Sequence, residues 1–476
     1  MLPLMLSACA TIGPRFSAPH VAIPGHFAGA PQNAPPAWPS KSWWKGFGSP
    51  ELNRLISEAE THNFSIRIAI AQLQAANAEV EVAGAPLLPS VNGAGSAAAQ
   101  RTGGNATSNN GSLPGIGRTI DTRQFAASFQ ISYELDFWGR NRDALRAAEA
   151  SAAASRFNRD TVALTEISAV ASTWFQVLAY RDELDIARQN LVASEHLLAQ
   201  LQAELRAGIT DAVAVAQQAA LVAAERATIP NLRSQLRQEQ IGLGILVGKP
   251  PEMLAAPTGT LSTLRVPPLM PGVPSALLAR RPDVAQAEAS LIAANANVRA
   301  ALAAFFPSIS LTGSTGWQST ALNTLFTPGS LLLNAATSLS QPIFEGGALS
   351  GNLAVSRAIY HQDVAEYEQA VVQAFSDVET ALTALHFATE QEHEEQIAIN
   401  RAHDALTAVK AQLAAGIVDV GSVLTAQQTL LSDENTLEQA RLARFLAAVN
   451  LYKALGGGWR MTPNQPITEG TVHAEE

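Results

Sequence analysis

The sequence is short of charge, of cysteine and of long hydrophobic runs, and each shortage excludes a class of protein. Only 15% of the 476 residues are charged, against about 25% in an average soluble protein. A formal net charge of −10 argues against a nucleic-acid partner, which needs a basic face. The one cysteine excludes internal disulfides and thiolate clusters. The sequence contains no run of 18 uncharged apolar residues, so it predicts no transmembrane helix. Its apolar fraction of 47% is too high for an intrinsically disordered chain.

The single cysteine, Cys9, follows a short apolar segment that ends in Leu-Ser-Ala. This arrangement resembles the lipobox of bacterial lipoproteins, in which the cysteine is acylated and becomes the new N-terminus. Two acyl chains at Cys9 would anchor the chain to a membrane without spanning it. The alternative is a buried free thiol. We expect a lipoprotein signal segment over 1–9, a covalent lipid at Cys9, and a Pro-rich tether over 10–50.

The distribution of proline and glycine predicts two long helices. Both residues are absent from 140–207 and from 352–415, and they are the strongest helix breakers. A helix over 140–207 would be about 100 Å long. A compact domain of this size needs no helix of this length. We call the two predicted long helices rods.

The two predicted rods repeat each other at a fixed offset of 208 residues. The first rod has an apolar residue at every seventh position, and the second repeats this except at Glu392. Gly208 maps onto Gly416, and the returning helices match in the same way except at Arg444. The apolar positions of the first repeat are Val170, Val177, Leu184, Leu191, Leu198, Leu205, Val215, Val222, Ile229, Leu236 and Leu243. The same offset relates the two long helices to each other and the two returning helices to each other. The sequence therefore predicts a duplicated helical hairpin with coiled-coil packing.

A pattern of period two precedes each rod. Over 124–137 apolar side chains occupy the odd positions and mainly polar ones the even positions, which is typical of a strand with one apolar and one polar face. The second repeat alternates more loosely, and 300–344 contains no charged residue. We predict one β-hairpin at about 89–137 and another at about 307–344.

The predicted strands are about ten residues long and carry little charge, which suits a bilayer, although the sheets of a soluble sandwich also alternate. Four strands cannot close a transmembrane barrel, which needs at least about eight. Open sheet edges are not tolerated in lipid. A membrane interpretation therefore needs several copies of the chain: two would supply eight strands and three would supply twelve.

Several motifs resemble those of the outer membrane efflux protein family. The segment 133–140 (YELDFWGR) is similar to the family's first crossing from strand to helix, at Trp138 and Gly139. The segment 341–347 (QPIFEGG) is similar to the second crossing, at Pro342 and Gly346. Further similar motifs are 280–284 (RRPDV), 306–309 (FPSI) and the Trp43-Trp44 pair. With Cys9, this likeness over about 38–459 points to the lipoprotein branch that works with resistance-nodulation-division pumps.

The resemblance implies a mainly α fold with β structure that assembles as a homotrimer in the bacterial outer membrane. Each protomer would give four strands to a 12-stranded transmembrane β-barrel, surrounded by outer-membrane lipid, and two helical hairpins to a periplasmic α-helical tunnel. The implied partners are a periplasmic adaptor protein and an inner-membrane pump, and the implied function is passive conduction of drugs or other small molecules to the exterior. The expected organisation is repeat 1 over 51–248, a Pro-rich linker over 249–281, repeat 2 over 282–458 and a tail over 459–476.

The candidate gate lies at the two hairpin turns, Gly208 and Gly416, where we expect positive φ. Many relatives in this family carry an aspartate that constricts the entrance, but here Thr425 holds that position and Ser422 lies a turn earlier. Our hypothesis is that two acids related by the offset, Asp211 and Asp419, supply negative charge at the mouth, because a carboxylate ring favours cations. The alternative is that they are solvated acids at helix N-termini, favoured by the helix dipole.

The sequence shows no catalytic constellation. It contains no HExxH, P-loop, GxSxG or dinucleotide motif, and His386 and His393 with their acidic neighbours fit a solvated helix face better than a metal site. We therefore expect neither an enzyme nor a metal site, and no cofactor besides the lipid at Cys9. The alternative function is a periplasmic coiled-coil adaptor or structural lipoprotein without a pore of its own. The paired, charge-poor strand hairpins favour the channel.

Overall fold

The computed structural model of the protein describes residues 13, 16–29, 37–102, 120–269 and 274–461. Cys9, the predicted lipid site, lies outside these residues. Within them the chain forms four strands and eight α-helices, joined in places by short 3₁₀ helices. These elements are α1 (Pro50–His62), α2 (Phe64–Gly84), β1 (Ser90–Thr102), β2 (Ile120–Leu135), α3 (Arg140–Arg206), α4 (Ala212–Val247), α5 (Pro274–Leu278), α6 (Pro282–Ala303), β3 (Ser308–Ser319), β4 (Leu331–Ser340), α7 (Ala348–Ala414) and α8 (Val420–Ala454).

The helix bounds reproduce the duplication that the sequence predicts. Helices α3 and α7 each contain 67 residues, and both ends of α7 lie 208 positions after those of α3. Helices α4 and α8 also start 208 positions apart. At 1.5 Å per residue, α3 and α7 are each about 100 Å long. Of the helices in the described part of the chain, α3 alone has an 18-residue window apolar enough to cross a membrane, and half of that window is buried within the protein.

The four strands form one antiparallel sheet in the order β1-β2-β3-β4. The central pair, β2 and β3, comes from different repeats, so the sheet joins the two halves of the chain. Strand β2 ends at Leu135, before the predicted 137, because Asp136 turns to cap α3 through the backbone N–H of Arg142 at 2.9 Å. Strand β4 ends at Ser340, not 344, because Pro342 lacks the N–H that a ladder needs.

The chain divides into two compact units, and each collects segments from both repeats. Of the described residues, the sheet unit contains those up to 18 and those within 74–153 and 289–365, and the helical unit contains those within 19–73 and 154–288 and from 366 onward. The predicted repeats, 51–248 and 282–458, therefore describe a duplication of sequence and do not coincide with these units.

The core of the helical unit is a group of aromatic rings from three segments, the 3₁₀ helix Trp43–Phe47, α3 and α8. The ring centroids of Phe175 and Phe445 lie 4.8 Å apart, and Phe47 meets Phe175 at 5.0 Å. Trp43 stacks on Tyr452 at 4.8 Å. All five side chains are buried, and large aromatic rings contribute more buried area than any other side chains.

Two parts of the predicted 10–50 tether are fixed in the helical unit. Residues Trp43–Phe47 form a buried 3₁₀ helix in the aromatic core, so the tether prediction is wrong for them: their large apolar rings outweigh the Pro-rich composition around them. Further upstream, Phe27 is only 2% exposed. The backbone N–H groups of Ala28 and Gly29 donate to the Glu379 carboxylate at 2.5 and 3.1 Å.

The end of α8 gives a test of the close packing around it. Gly456 has φ +81, and a Cβ there would lie 1.8 Å from the carbonyl oxygen of Arg280. Gly416 has φ +71 with nothing within 4 Å. Both Gly→Ala changes strain a left-handed backbone, at about 1 kcal/mol, but only Gly456→Ala adds a clash. We expect Gly456→Ala to lower the thermal midpoint, followed by circular dichroism in detergent, several times more than Gly416→Ala; equal shifts would contradict this packing.

The buried Asp182 makes stability depend on pH. It accepts a hydrogen bond from the Leu261 backbone N–H at 2.9 Å, and burial raises its pKa to about 6. Because the pKa in the unfolded chain is about 3.9, the folded protein binds this proton more tightly, and stability falls as pH rises from about 4 to 6. We expect Asp182→Asn to be more stable than wild type at pH 7 and equal to it below about pH 4. Urea unfolding across this range measures the difference.

The control for this prediction is Asp185→Asn, three residues further along α3. The Asp185 side chain is 50% exposed and pairs with Arg188. We expect no gain in stability at pH 7 from this change. A gain of the same size in both variants would mean that burial of Asp182 is not the cause.

Candidate functional site

One face of the sheet is apolar and exposed. The register aligns Ile131 with Val91 and Gly313, so the odd-numbered residues of all four strands share one face. Phe129 is 54% exposed and Leu333 is 79% exposed in the isolated chain. The large apolar side chains of this face include Val91, Phe125, Phe129, Ile131, Leu135, Ile309, Leu311, Trp317, Leu331, Leu333 and Leu339. A contiguous apolar surface of this kind is covered by lipid or by another protein.

The opposite face is polar but nearly free of charge. Serine pairs hydrogen-bond across it, Ser90 with Ser132 at 2.7 Å and Ser310 with Ser338 at 2.6 Å. Glu134 is the single charged side chain of this face within the described strands. This face therefore suits water and small polar solutes.

The charged side chains of the described strands lie near strand ends, with Arg101, Asp121 and Arg123 at one end of the first hairpin and Glu134 at the other. Arg101 and Asp121 face each other at the free ends of β1 and β2, where Arg101 Nε lies 2.8 Å from Asp121 Oδ1. Both side chains are more than half exposed. The sheet therefore has a charge-poor middle and a charged rim, the distribution that a strand crossing a bilayer needs.

The sheet is open at both edges. Strands β1 and β4 each pair on one side only within the described residues. The other side of each strand presents a row of backbone donors and acceptors. Such edges are sites for pairing with another chain.

The predicted crossings from strand to helix are built differently in the two repeats. Trp138 stacks on Phe306 at 4.9 Å and donates its Nε1–H to the carbonyl oxygen of Pro307 at 2.7 Å. Gly139 is buried with φ +83. At the second crossing Gly346 also has positive φ, +61, and Pro342 is half-buried. The first crossing is thus a packed aromatic corner, and the second is more open.

A buried ion pair next to the first crossing was not predicted from the sequence. The Asp143 side chain is fully buried, and its Oδ1 lies 2.9 Å from Arg299 on α6 and 2.8 Å from Arg146. Losing one partner of such a pair leaves a buried charge, at about 3–5 kcal/mol. The one signal in the sequence is that Arg299 is the last charged residue before the uncharged stretch 300–344.

The hairpin turns have the predicted geometry. Gly208 has φ +72 and Gly416 has φ +71, which confirms the expected positive φ. The backbone N–H of Ile209 donates to the backbone carbonyl oxygen of Glu204, and that of Ile417 donates to the backbone carbonyl oxygen of Gln412, both at 2.9 Å. This pattern satisfies the last carbonyls of α3 and α7 in the same way.

The two candidate acids cap the returning helices. Asp211 accepts the backbone N–H of Ala214 at 2.8 Å, and Asp419 accepts that of Ser422 at 3.0 Å. Ser422 also donates its hydroxyl to Asp419 at 2.8 Å, and these bonds lower the pKa of Asp419. Thr425 is exposed and donates its hydroxyl to the Gly421 carbonyl at 3.0 Å. The helix N-terminal alternative therefore describes the contacts of both acids in this structure.

The structure also brings the two acids to one cavity. The tips of both hairpins enclose a groove of about 1170 Å³ lined by Asp211, Asp419 and Glu204, with Lys410 among the other lining side chains. A small apolar cluster of Leu201, Ala214, Val420 and Leu424 holds the tips together. Capping a helix and charging a groove are compatible, because a capping carboxylate keeps its charge.

This arrangement of sheet and paired hairpins matches a known family over most of the chain. The sequence profile described as "Outer membrane efflux protein" matches 55–249 and 273–457. The chain belongs to the outer membrane efflux protein family. The two matched segments end 208 positions apart, so the profile finds the same duplication.

Three relatives are similar to this chain over nearly its whole length. The pyoverdine export outer membrane protein OpmQ of Pseudomonas aeruginosa is 36% identical over 469 residues, 96% of each chain. The probable outer membrane lipoprotein SilC of Salmonella typhimurium is 31% identical, covering 96% of this chain and 97% of its own. The crystal structure of the open state of the MtrE outer membrane channel of Neisseria gonorrhoeae has a TM-score of 0.84 at 29% identity, covering 95% of this chain and 99% of that one.

OpmQ is named as an export protein of the outer membrane, SilC as an outer membrane lipoprotein and MtrE as an outer membrane channel, and the MtrE structure shares the fold over nearly the whole chain. The mainly α fold with a small sheet, the outer-membrane location and the function as an efflux channel are therefore confirmed. The adaptor alternative is not supported, because the family profile and the relatives are those of outer membrane proteins.

The groove at the tips makes a prediction about ion selectivity. Changing Asp211 and Asp419 together to Asn removes two charges but keeps the capping oxygens. We expect unchanged thermal stability and a weaker preference for cations, measured as the reversal potential in planar bilayers under a salt gradient. Asp404→Asn is the control, because Asp404 is 72% exposed on α7 and does not line the groove. A reversal potential that stays at the wild-type value in the double variant would show that these two acids do not set the ion selectivity of the mouth.

Proposed function

We propose that three copies of this chain form one outer-membrane exit channel of a tripartite efflux pump. The observation that carries the proposal is the four-stranded sheet with two unpaired edges and an exposed apolar face. In hydrocarbon each backbone polar group needs a hydrogen-bond partner, so a sheet there must close into a barrel. Strand β1 of one copy would pair with β4 of the next and thereby remove every edge.

Three copies fit a channel better than two. Two copies would give eight strands, and the interior of an eight-stranded barrel is just wide enough for side chains to fill it. Three copies would give twelve strands and a wider lumen lined by the polar face. The small residues of that face, such as Ser128, Ser132, Ser310 and Ser314, favour an open interior. The homotrimer implied by the family resemblance agrees with this argument.

The same assembly would place the helical hairpins in a tunnel on the periplasmic side. Each copy supplies two hairpins, α3–α4 and α7–α8, whose tips meet at the groove lined by Asp211 and Asp419. We propose a periplasmic adaptor protein as the partner at these tips and an inner-membrane resistance-nodulation-division pump behind it. The chain conducts passively and catalyses no reaction, so the pump selects the substrate.

We also propose that a covalent lipid at Cys9 anchors the N-terminus in the outer membrane. The lipobox-like sequence before Cys9 supports this, as does the lipoprotein name of SilC.

Bilayer recording of the protein purified from outer membranes tests the channel directly. We expect a heat-modifiable oligomer that gives stable conductance steps after reconstitution. Recovery of the chain from the soluble periplasm without detergent, with no conductance, would instead support a poreless adaptor or structural lipoprotein.

Neighbouring residues on β2 test which face meets lipid. Ile131 lies on the apolar face and Gln130 on the polar face. An arginine facing lipid near the midplane costs about 2–4 kcal/mol, whereas a lumen position tolerates charge. We expect Ile131→Arg to deplete the heat-modifiable oligomer from outer membranes, and Gln130→Arg to insert normally with altered ion selectivity. Equal insertion of both variants would contradict the assignment of the faces.

A further inference from the structure

The loop between β3 and β4, residues 320–330, is compact and carries no charge. It contains two short 3₁₀ helices. The Ser330 hydroxyl donates to the Thr324 carbonyl oxygen at 2.8 Å, and the hydroxyls of Thr324 and Ser319 share a hydrogen bond at 2.6 Å. Leu325, in the middle of the loop, is buried. These contacts fold the loop back on itself and tie it to the end of β3, so its other side chains have defined positions.

One ring contact shows on which side of the sheet the loop packs. The ring centroids of Phe326 and Trp317 are 5.5 Å apart. Trp317 lies opposite Ala127 on β2 and Leu331 on β4, so it belongs to the apolar face of the sheet. A loop folded across the polar face would instead contact even-numbered residues such as Gln318. The ring of Phe326 therefore extends the apolar face beyond the ends of the strands.

The loop leaves two large apolar side chains uncovered. Leu322 is 65% exposed and Phe326 is 69% exposed in the isolated chain. Exposed apolar side chains of this size favour contact with lipid or with another protein. The sequence on both sides of them is uncharged from 300 to 344. The loop is therefore as apolar and as free of charge as the strands that it joins.

The first hairpin carries exposed charges at the same end of the sheet. Arg101, Asp121 and Arg123 share the apolar face there, and all three are exposed. Exposed charges that border an apolar face suit the headgroup layer of a bilayer, and aromatic girdles are typical of this level in membrane barrels. Trp317 lies opposite Ala127, four residues further along β2 than Arg123. Its ring therefore lies on the acyl-chain side of these charges.

We propose that the β3–β4 loop is a lipid-binding element, in which Leu322 and Phe326 contact acyl chains just below the headgroups of the outer leaflet. This inference rests on the channel proposed above, which places this end of the sheet at the outer surface. Lipid fits as the occupant because the loop continues the apolar face that lipid would cover. A neighbouring copy fits less well, since the strand β1 that would pair with β4 ends in the exposed ion pair of Arg101 and Asp121. In this position the two apolar side chains lie outside the lumen and do not cover its exit.

A fluorescent label at position 322 tests the proposal. Leu322→Cys would carry an environment-sensitive nitrobenzoxadiazole dye in the full chain, reconstituted in phosphatidylcholine vesicles with a doxyl quencher either near the headgroup or near the end of the acyl chain. Gln318→Cys is the control, because Gln318 is exposed and belongs to the polar face at the same end of β3. The wild-type chain, treated in the same way, gives the background from Cys9.

We expect the label at position 322 to be quenched several-fold more by the headgroup-level doxyl lipid than by aqueous iodide, and the label at position 318 to show the reverse. Quenching of both labels by iodide alone would overturn the proposal. Protection of position 322 from both quenchers would also overturn it, because a neighbouring copy would then cover the loop.

Conductance steps from the same samples test the channel separately. A conducting sample that fails the quenching test contradicts the position of the loop and leaves the channel intact. A sample without conductance would count against the channel, while its quenching would still report whether the loop contacts lipid.

Discussion

A sheet edge cannot remain unpaired in hydrocarbon, and the other features of this chain follow from that constraint. The four strands expose a row of backbone donors and acceptors at β1 and another at β4. Their apolar face stays uncovered in the isolated chain. Both liabilities disappear only when copies of the chain pool their strands into a closed barrel. The shortage of charge is therefore a property of the assembly's surface and lumen.

The second organising feature is the duplication, which lets one chain supply two similar hairpins. The offset of 208 positions holds for both ends of the 67-residue helices and for the capped starts of the returning helices. Each long helix is joined to its returning helix by a turn of five residues, 207–211 and 415–419, so each hairpin forms between neighbouring segments of the chain. The two seams are not identical, because Glu392 pairs with Arg444 in the second hairpin where the first hairpin has Leu184 and Leu236.

Local patterns in the sequence predict much of this architecture. The glycine- and proline-free stretch 140–207 predicts α3 to within one residue, and alternation identifies the two faces of β2. The ion pair of Asp143 with Arg299 and the contact of Phe27 with α7 could not be predicted, because each joins residues far apart in sequence. The position of Arg299 before the uncharged stretch 300–344 does not indicate which residue it pairs with. Burial of Trp43 was missed for the same reason, since its partner Tyr452 lies near the other end of the chain.

Cross-linking of the two open edges tests the closed barrel most directly. Cysteines at Ala94 on β1 and Ala336 on β4 lie on the same face of the sheet at opposite edges, and the wild-type chain with Cys9 alone is the background. With a flexible reagent that joins two thiols in intact outer membranes, we expect covalent dimers and trimers and nothing larger. Products confined to single chains, or an open ladder beyond three copies, would contradict a barrel closed by three protomers.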